Sequence, residues 1–133
     1  MKLSEVQQEF TFDVSLLIQH AYGLGIRLTV GNAHRTESQM VLNYLGYDVV
    51  IQSNKPVFVK RPRTSKTLNS THGERRAIDF NFFKDGKLME EKEIRASKEI
   101  ALIGSFWKSL NEKNIWGGDW KTPYDPYHFQ RDR

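Results

Sequence analysis

Residues 76–83 read RAIDFNFF, and this stretch decides the fold. Polar and apolar side chains alternate along it, which predicts a β-strand with one dry face. The face that we expect to be buried carries Ile78, Phe80 and Phe82. Asp79 lies in the middle of the same strand, where a carboxylate is costly unless it is paired or binds a metal ion. The stretch therefore predicts a sheet and, at Asp79, a candidate functional position.

Helical and short strand patterns alternate over the rest of the chain. Apolar spacing predicts helices at residues 3–22, 36–45 and 93–113. We expect Ser4 and Thr36 to cap the first two helices, and Gly46 to end the second. Strand and turn signals lie at residues 26–30, 85–86 and 115–133. This order predicts an α+β fold, with about three helices packed around a small antiparallel sheet.

The stretch from Val49 to Glu74 is basic and contains no acidic side chain before Glu74. Its cationic residues are Lys55, Lys60, Arg61, Arg63 and Lys66. Two prolines interrupt it, so we expect a long solvated loop with at most a short strand at residues 57–59. Such a loop could contact an anionic partner.

Composition limits the possible chemistry. The chain has 133 residues, a net charge of +4, four histidines and no cysteine. This length predicts one domain with one core. Without cysteine, disulfides, thiolate metal sites and a cysteine nucleophile are excluded, so any metal site must use His and carboxylates. The polar N-terminus does not resemble a secretory signal, and no apolar run could span a membrane, so synthesis in the cytoplasm is expected.

Two segments could supply such a site. His72 and Asp79 can converge only if the chain turns between them, and Gly73 makes a turn plausible. Asp125-Pro126-Tyr127-His128 is a proline-led turn that can place its carboxylate and imidazole on the same side. Three protein ligands with an open fourth position are typical of catalytic zinc, and a nearby free carboxylate can serve as general base.

Simpler interpretations of these residues remain open. Asp79 could pair with Arg75 or Arg76, Asp125 could cap the turn before Pro126, and a single His is more often a surface or core residue than a ligand.

Four ordered motifs resemble the VanY-type zinc peptidases. They are Ser70-Thr71-His72, Ala77-Ile78-Asp79, Trp116-Gly117-Gly118-Asp119-Trp120 and Asp125-Pro126-Tyr127-His128-Phe129-Gln130. That family contains D-Ala-D-Ala carboxypeptidases and the L-alanyl-D-glutamate endopeptidases used as phage endolysins. The resemblance covers roughly residues 26–130 and looks most like the endolysin branch. One position departs from the family pattern, because Arg75 stands where a glycine usually follows the first histidine.

The resemblance implies a role for seven residues. His72, Asp79 and His128 would bind Zn2+, and Asp125 would act as general base and later as acid. Arg35, followed four residues later by Gln39, matches a family pattern and would polarise the substrate carbonyl and stabilise the oxyanion. Gln39 and Ser70 are candidates for substrate or metal-site contacts. Without the resemblance, Arg35 reads as an ordinary surface residue beside a helix cap.

The resemblance also implies a biological role. We expect residues 1–133 to form a single catalytic peptidase domain that hydrolyses the peptidoglycan stem peptide, between L-Ala and D-Glu. As a phage endolysin it would be a monomer, made in the host cytoplasm without a signal peptide and without stable membrane insertion. It would reach the periplasm and cell wall with the help of a holin-like membrane protein. The basic stretch would border the cleft and hold stem-peptide carboxylates.

Three alternative functions remain at this point. The first is a D-Ala-D-Ala carboxypeptidase of peptidoglycan. The second is a nucleic-acid-binding protein that uses the basic stretch and would bind DNA with a steep salt dependence, although nucleic acid is not the partner we expect. The third is a non-catalytic wall-binding relative, against which the intact His and Asp residues argue.

Overall fold

A computed structural model describes residues 1–65 and 67–133 of the chain. Lys66, counted above with the basic stretch, lies outside the described residues. The helices are α1 (Leu3–Gly23), α2 (Glu37–Leu45), α3 (Glu91–Ala96) and α4 (Lys98–Leu110). The strands are β1 (Arg27–Val30), β2 (Tyr47–Gln52), β3 (Lys55–Lys60), β4 (Ala77–Lys84), β5 (Lys87–Leu88), β6 (Asn114–Trp116) and β7 (His128–Arg131). A short 3-10 helix spans Gly117–Asp119.

The alternating stretch forms the central strand β4 of an antiparallel sheet. The strand order is β1-β4-β7-β6, with β5 also paired to β4 across the Asp85-Gly86 turn. Phe80 and Phe82 are buried, as the alternation predicts. The predicted α+β fold with an antiparallel sheet is therefore confirmed. Because β4 pairs with β7, Asp79 lies directly opposite His128.

Helices α1 and α4 cover the apolar side of this sheet. The buried side chains at their contact include Leu17, Ile103, Trp107 and Phe129. Gly104 lets α4 pack directly against Trp116, since an added Cβ would lie 2.2 Å from the Trp116 ring. Trp107 and Trp116 both pack against the Phe129 ring, with centroids 5.9 and 6.4 Å from it. This packing supports β7, the strand that carries His128.

A buried polar network also ties α1 to the sheet. Arg131 of β7 is 3% exposed and donates hydrogen bonds to the carboxylates of Asp13 and Glu9, both on α1. Asn114 of β6 donates to Asp13 Oδ2 at 3.1 Å. A buried guanidinium is tolerated only when paired in this way, so the network fixes β7 relative to α1.

Two predicted helix features are wrong. The single helix expected at residues 93–113 is divided into α3 and α4 at Ser97, whose Oγ accepts a hydrogen bond from Ile100 N at 3.2 Å and caps α4. Ser4 does not cap α1; the helix begins at Leu3, and the Glu5 carboxylate accepts from Lys2 N at 2.7 Å. A residue with a capping side chain starts a helix only where its own backbone is extended, as it is at Ser97.

The predictions for α2 are confirmed. Thr36 Oγ1 accepts from Gln39 N at 3.2 Å, and Gly46 ends the helix with a φ of +82°. This left-handed conformation is the usual helix stop and favours glycine.

The first half of the basic stretch is not a loop. Strands β2 and β3 pair into a separate antiparallel hairpin. Ser53 and Asn54 form its turn with φ values of 51° and 62°, the arrangement of a type I′ turn. All of β3 is exposed, and the predicted loop is found only over residues 61–65 and 67–76. In the described part of the chain, no helix has the length and apolar character needed to cross a bilayer.

Candidate metal centre and active site

The structure brings together the three residues proposed as metal ligands. One potential ligand atom of each of His72, Asp79 and His128 lies within 4.8 Å of the other two. His72 Nε2 lies 3.3 Å from Asp79 Oδ2, and His128 Nδ1 lies 3.0 Å from Asp79 Oδ1. Both imidazoles are buried, whereas the carboxylate is partly open to solvent. The group thus offers two nitrogen atoms and one oxygen atom to a metal ion, and Asp79 is its most exposed member.

The sheet places two of these ligands. Asp79 and His128 are register partners on β4 and β7, so their side chains leave the same face of the sheet. The backbone of Asp79 is fixed from the other edge, since its N–H donates to Asn32 O at 2.7 Å and its carbonyl accepts from Gly31 N at 2.8 Å.

A tight turn places the third ligand. Arg76 N donates to Thr71 O at 2.9 Å, and Gly73 N donates to Ser70 O at 3.0 Å, so the chain doubles back between His72 and β4. Ser70 Oγ accepts a hydrogen bond from His72 N at 3.2 Å, so the Ser70 side chain contacts the backbone of His72. The turn expected between His72 and Asp79 is therefore present.

Arg75 occupies the strained position of this turn. Its φ is +55°, in the left-handed region that favours glycine. The family pattern has glycine at this position, so the chain keeps the turn conformation with a less suitable residue. The departure noted in the sequence does not displace His72.

Each imidazole is oriented by a second hydrogen bond. His72 Nδ1 lies 3.0 Å from Ala33 O, and His128 Nε2 lies 2.7 Å from Gln130 Oε1. Because Gln130 Nε2 donates to Asp132 Oδ1 at 2.8 Å, its amide oxygen must face His128. The tautomer that has its proton at these acceptors leaves the nitrogen facing Asp79 available to a metal ion, whereas a proton on that nitrogen is donated to the Asp79 carboxylate. This arrangement is typical of metal-binding histidines and fits a divalent cation.

Sequence reasoning missed these orienting partners. Ala33 acts through its backbone carbonyl, which leaves no sequence signal. Gln130 is the last residue of the fourth motif, and its position two residues after His128 on a strand is the signal that could have identified it. Asp132 and Asp119, the two additional carboxylates near the motifs, are already engaged with Gln130 and with Lys108.

The electrostatics of the cluster favour an ionised Asp79. Burial raises the pKa of Asp79, but hydrogen bonds from His128 and His72 outweigh burial and hold that pKa well below its ordinary value. Burial lowers the pKa of His128, but its hydrogen bonds to Asp79 and Gln130 outweigh burial and raise the pKa. A carboxylate that stays negative between two imidazoles is suited to hold a cation.

Asp125 lies beside this cluster on the turn that leads into β7. Its carbonyl accepts from His128 N at 3.2 Å, which closes the proline-led turn expected from the sequence. Burial and the negative charge of Asp79 raise the pKa of the Asp125 carboxyl. Asp125 is only half-buried and is not one of the three clustered residues. It therefore has the position of a neighbouring acid or base.

The Trp-Gly-Gly-Asp-Trp block holds this turn in place. Asp125 N donates to Gly117 O at 3.0 Å, and Trp116 Nε1 donates to Pro126 O at 2.8 Å. A Cβ added at Gly117 would lie 2.1 Å from Asp125 O and 3.1 Å from His128 Cβ. The glycine is thus required by the close approach of the turn.

Arg35 and Gln39 lie near the start of α2, and the Arg35 backbone neighbours His72. Arg35 N donates to His72 O at 3.2 Å, so this residue is held next to the first ligand. Arg35 and Gln39 line the same polar cavity at the start of α2. Gln39 is exposed and donates to Asn43 Oδ1 at 2.7 Å. Ser70 contacts the backbone of His72 and is not among the residues that line this cavity.

Comparison with known proteins agrees with this arrangement. Two imidazoles and a carboxylate beside a second carboxylate are the side chains that a metallopeptidase site requires. Residues 63–131 match the family described as D-alanyl-D-alanine carboxypeptidase. The match spans more than half of the chain, which therefore belongs to this VanY-like family of peptidoglycan peptidases.

One solved structure shares the fold over nearly the whole chain. It is the Serratia marcescens L-Ala D-Glu endopeptidase ChiX, with a TM-score of 0.62 and 19% sequence identity. The alignment covers 99% of this chain and 87% of that one. No curated protein sequence matches the chain. The resemblance to VanY-type peptidases is confirmed.

Proposed function

We propose that the protein is a zinc-dependent endopeptidase that hydrolyses the L-Ala–D-Glu bond of the peptidoglycan stem peptide. The observation that carries the proposal is the convergence of His72, Asp79 and His128, with each ring oriented by an acceptor on its far nitrogen. Membership of the peptidase family supports the substrate. The fold shared with an L-Ala D-Glu endopeptidase favours this bond over the D-Ala-D-Ala bond.

Zinc is the metal that best suits the cluster. Two imidazole nitrogens and one carboxylate oxygen with an open fourth position are typical of catalytic zinc. His72 would bind through Nε2, His128 through Nδ1 and Asp79 through a carboxylate oxygen. When bound, such an ion lowers the pKa of its water and polarises the scissile carbonyl.

The surrounding residues supply proton transfer and charge stabilisation. Asp125 accepts a proton from the attacking water and then donates it to the nitrogen of the leaving residue, so that the C–N bond breaks with a neutral amine. The Arg35 guanidinium donates hydrogen bonds to the carbonyl oxygen as negative charge develops there. Ser70 holds the backbone of His72 and so maintains the direction of its ring.

Metal analysis and digestion of purified sacculi test this proposal. We expect about one zinc per chain, loss of activity with a chelator and recovery with added zinc. Mass spectrometry should show glycan strands that keep L-Ala and released peptides that begin with D-Glu. Release of a single alanine instead would support the carboxypeptidase alternative and contradict the proposed bond.

A variant pair tests the role of Asp125. Asp125→Asn should bind the metal but lose at least 100-fold in kcat/KM, within the range for removal of a general acid–base. The matched control is Asp119→Asn, because Asp119 is half-exposed and pairs with Lys108. An Asp125→Asn protein with full metal content and wild-type activity would contradict the mechanism.

We further propose that the protein acts as a phage endolysin. Its motifs look most like that branch, so residues 1–133 would act as a single-domain monomer made in the host cytoplasm. Access to the wall would then depend on a holin-like membrane protein. Expression in a thin-walled host should cause lysis only when such a protein is co-expressed, and lysis without it would contradict this role.

A further inference from the structure

A polar cavity of about 410 Å3 adjoins the candidate metal centre. It is lined by Asn32, Arg35, Gln39, Asn43, Arg61 and Thr64. Two of these residues form backbone hydrogen bonds with the candidate metal ligands: Asn32 O accepts from Asp79 N, and Arg35 N donates to His72 O. The cavity therefore lies next to the chain segments that carry His72 and Asp79, and it includes residues of α2.

The charge of this cavity is positive. Among the described residues, its lining contains two guanidinium groups and no carboxylate. Arg35 is proposed to act at the scissile carbonyl. Arg61, the other guanidinium of the cavity, has no role in the proposed reaction. A polar cavity with an unassigned guanidinium fits an anionic group of the substrate.

The Arg61 guanidinium is held in a fixed direction by hydrogen bonds, and some of its N–H groups remain available to a ligand. Its Nε donates to Tyr47 O at 3.2 Å, and its Nη2 donates to Asn43 Oδ1 at 2.9 Å. Its Nη1 lies 3.6 Å from a carboxylate oxygen of Asp48, a half-exposed residue, so that ion pair is weak. A guanidinium has five N–H groups, and these partners leave at least two of them for a ligand.

Asn43 joins the two sides of the cavity. Its Oδ1 accepts from both Gln39 and Arg61, and its backbone carbonyl accepts from Thr64 N at 3.2 Å. One side chain thus sets the position of the Arg61 guanidinium relative to α2. Because the guanidinium is already ordered before binding, less entropy is lost when it binds a carboxylate.

We propose that Arg61 binds a free carboxylate of the stem peptide and makes the enzyme selective for substrates that carry it. This inference rests on the proposed function. The carboxylate has two possible sources: the α-carboxylate of D-Glu, which stays free because the chain continues through its γ-carboxyl, and the side-chain carboxylate of diaminopimelate. Arg61 is then a specificity-determining residue, and Asn43 is its positioning residue.

Three synthetic stem peptides distinguish the sources. The first contains D-Glu and diaminopimelate, the second has the D-Glu α-carboxylate converted to the amide, and the third has Lys in place of diaminopimelate. For the wild-type protein, we expect kcat/KM to fall about 10- to 100-fold for the peptide that lacks the recognised carboxylate, as for loss of a charge-assisted hydrogen bond. In Arg61→Gln this difference should disappear, because the peptide with the carboxylate becomes as poor a substrate as the peptide without it.

The controls separate recognition from stability. Arg63→Gln is the matched control, because Arg63 stacks over the Tyr44 ring and does not line the cavity. Arg61→Lys should restore part of the selectivity. If Arg61→Gln loosens the hairpin, Thr64→Glu tests the same point, since it adds a competing carboxylate to the cavity; Thr64→Gln is its control.

Each outcome supports or overturns the inference. Cleavage of all three peptides at equal kcat/KM by the wild-type protein would overturn it, as would an Arg61→Gln protein that loses the same factor on every peptide. Failure of the wild-type protein to cut any L-Ala–D-Glu bond would instead overturn the proposed function. Calorimetric binding of the three peptides to the Asp125→Asn protein gives a second readout that does not require turnover.

Discussion

Removal of the Gln130 side chain should weaken metal binding without unfolding the protein. Gln130 Oε1 lies 2.7 Å from His128 Nε2, and in the metal-binding tautomer it accepts the proton of that nitrogen. In Gln130→Ala the imidazole loses this acceptor, so its other tautomer and other ring orientations become accessible. The strand itself should persist, because backbone pairing of β7 with β4 and β6 does not involve the side chain.

The size of the expected loss in metal affinity can be estimated from the geometry. Replacement of a residue that orients a metal-binding histidine typically costs 10- to 100-fold in affinity, which is about 1.4–2.8 kcal/mol. We expect the middle of this range or above, since the hydrogen bond is short and Gln130 is itself fixed by Asp132 at 2.8 Å. Asp132→Ala should weaken metal binding by less than Gln130→Ala, because Asp132 acts on His128 only through Gln130.

Competition with a chromogenic chelator measures this effect directly. Gln52→Ala is the matched control, since Gln52 is an exposed glutamine on β2, in the separate hairpin. A graded order of affinities, with Gln130→Ala weakest, Asp132→Ala intermediate and Gln52→Ala equal to the wild type, is the expected result. Wild-type metal affinity in a folded Gln130→Ala protein would refute the argument that the far nitrogen of His128 carries the proton.

Three further substitutions test residues that hold the turns and strands of the site in position. Gly117→Ala should lower kcat/KM more than tenfold in a peptide-cleavage assay, because the new Cβ would lie 2.1 Å from Asp125 O and a displacement of about 1 Å can cost roughly 100-fold; unchanged kinetics would show that the turn adapts. Arg75→Gly should raise the free energy of unfolding in urea by about 0.5–1 kcal/mol at unchanged activity, since glycine accepts the positive φ without strain. Asp13→Ala should lower that free energy by about 3 kcal/mol, because Arg131 remains buried without its nearest carboxylate; a loss below 1 kcal/mol would mean that Glu9 compensates.

Part of the local geometry around the candidate site is predictable from the sequence because it follows from short-range patterns. Alternation fixes the face of Asp79, and a proline-led turn fixes Asp125 relative to His128. What brings these two segments together is the pairing of β4 with β7. That register joins residues about fifty positions apart, and no local pattern encodes it. Only the four ordered motifs, taken together, indicated that the segments meet.

The errors in the fold have two different physical origins. In the hairpin, the loop expectation rested on Pro56, Pro62 and the cationic side chains, whereas residues 55–60 pair with β2 along their whole length. Asn54 is favoured in that turn because it tolerates a positive φ. In the α3–α4 region, a continuous apolar stripe concealed the break at Ser97. A capping serine inside a helical pattern is also compatible with an uninterrupted helix, so packing decides between the two.

The residues proposed to bind the metal and those proposed to select the substrate lie in different parts of the chain. The metal-ligand residues and Asp125 all lie within the range that matches the peptidase family, residues 63–131, and two of the ligands stand on paired strands of the central sheet. Gln39, Asn43 and Arg61 lie before that range, on α2 and at the base of the hairpin. Hydrogen bonds such as that from Arg35 N to His72 O join this region to the metal centre. Substitutions at Asn43 or Arg61 should therefore change which stem peptide is cut while metal affinity stays at the wild-type value, and a parallel loss of both would show that the two regions form one coupled site.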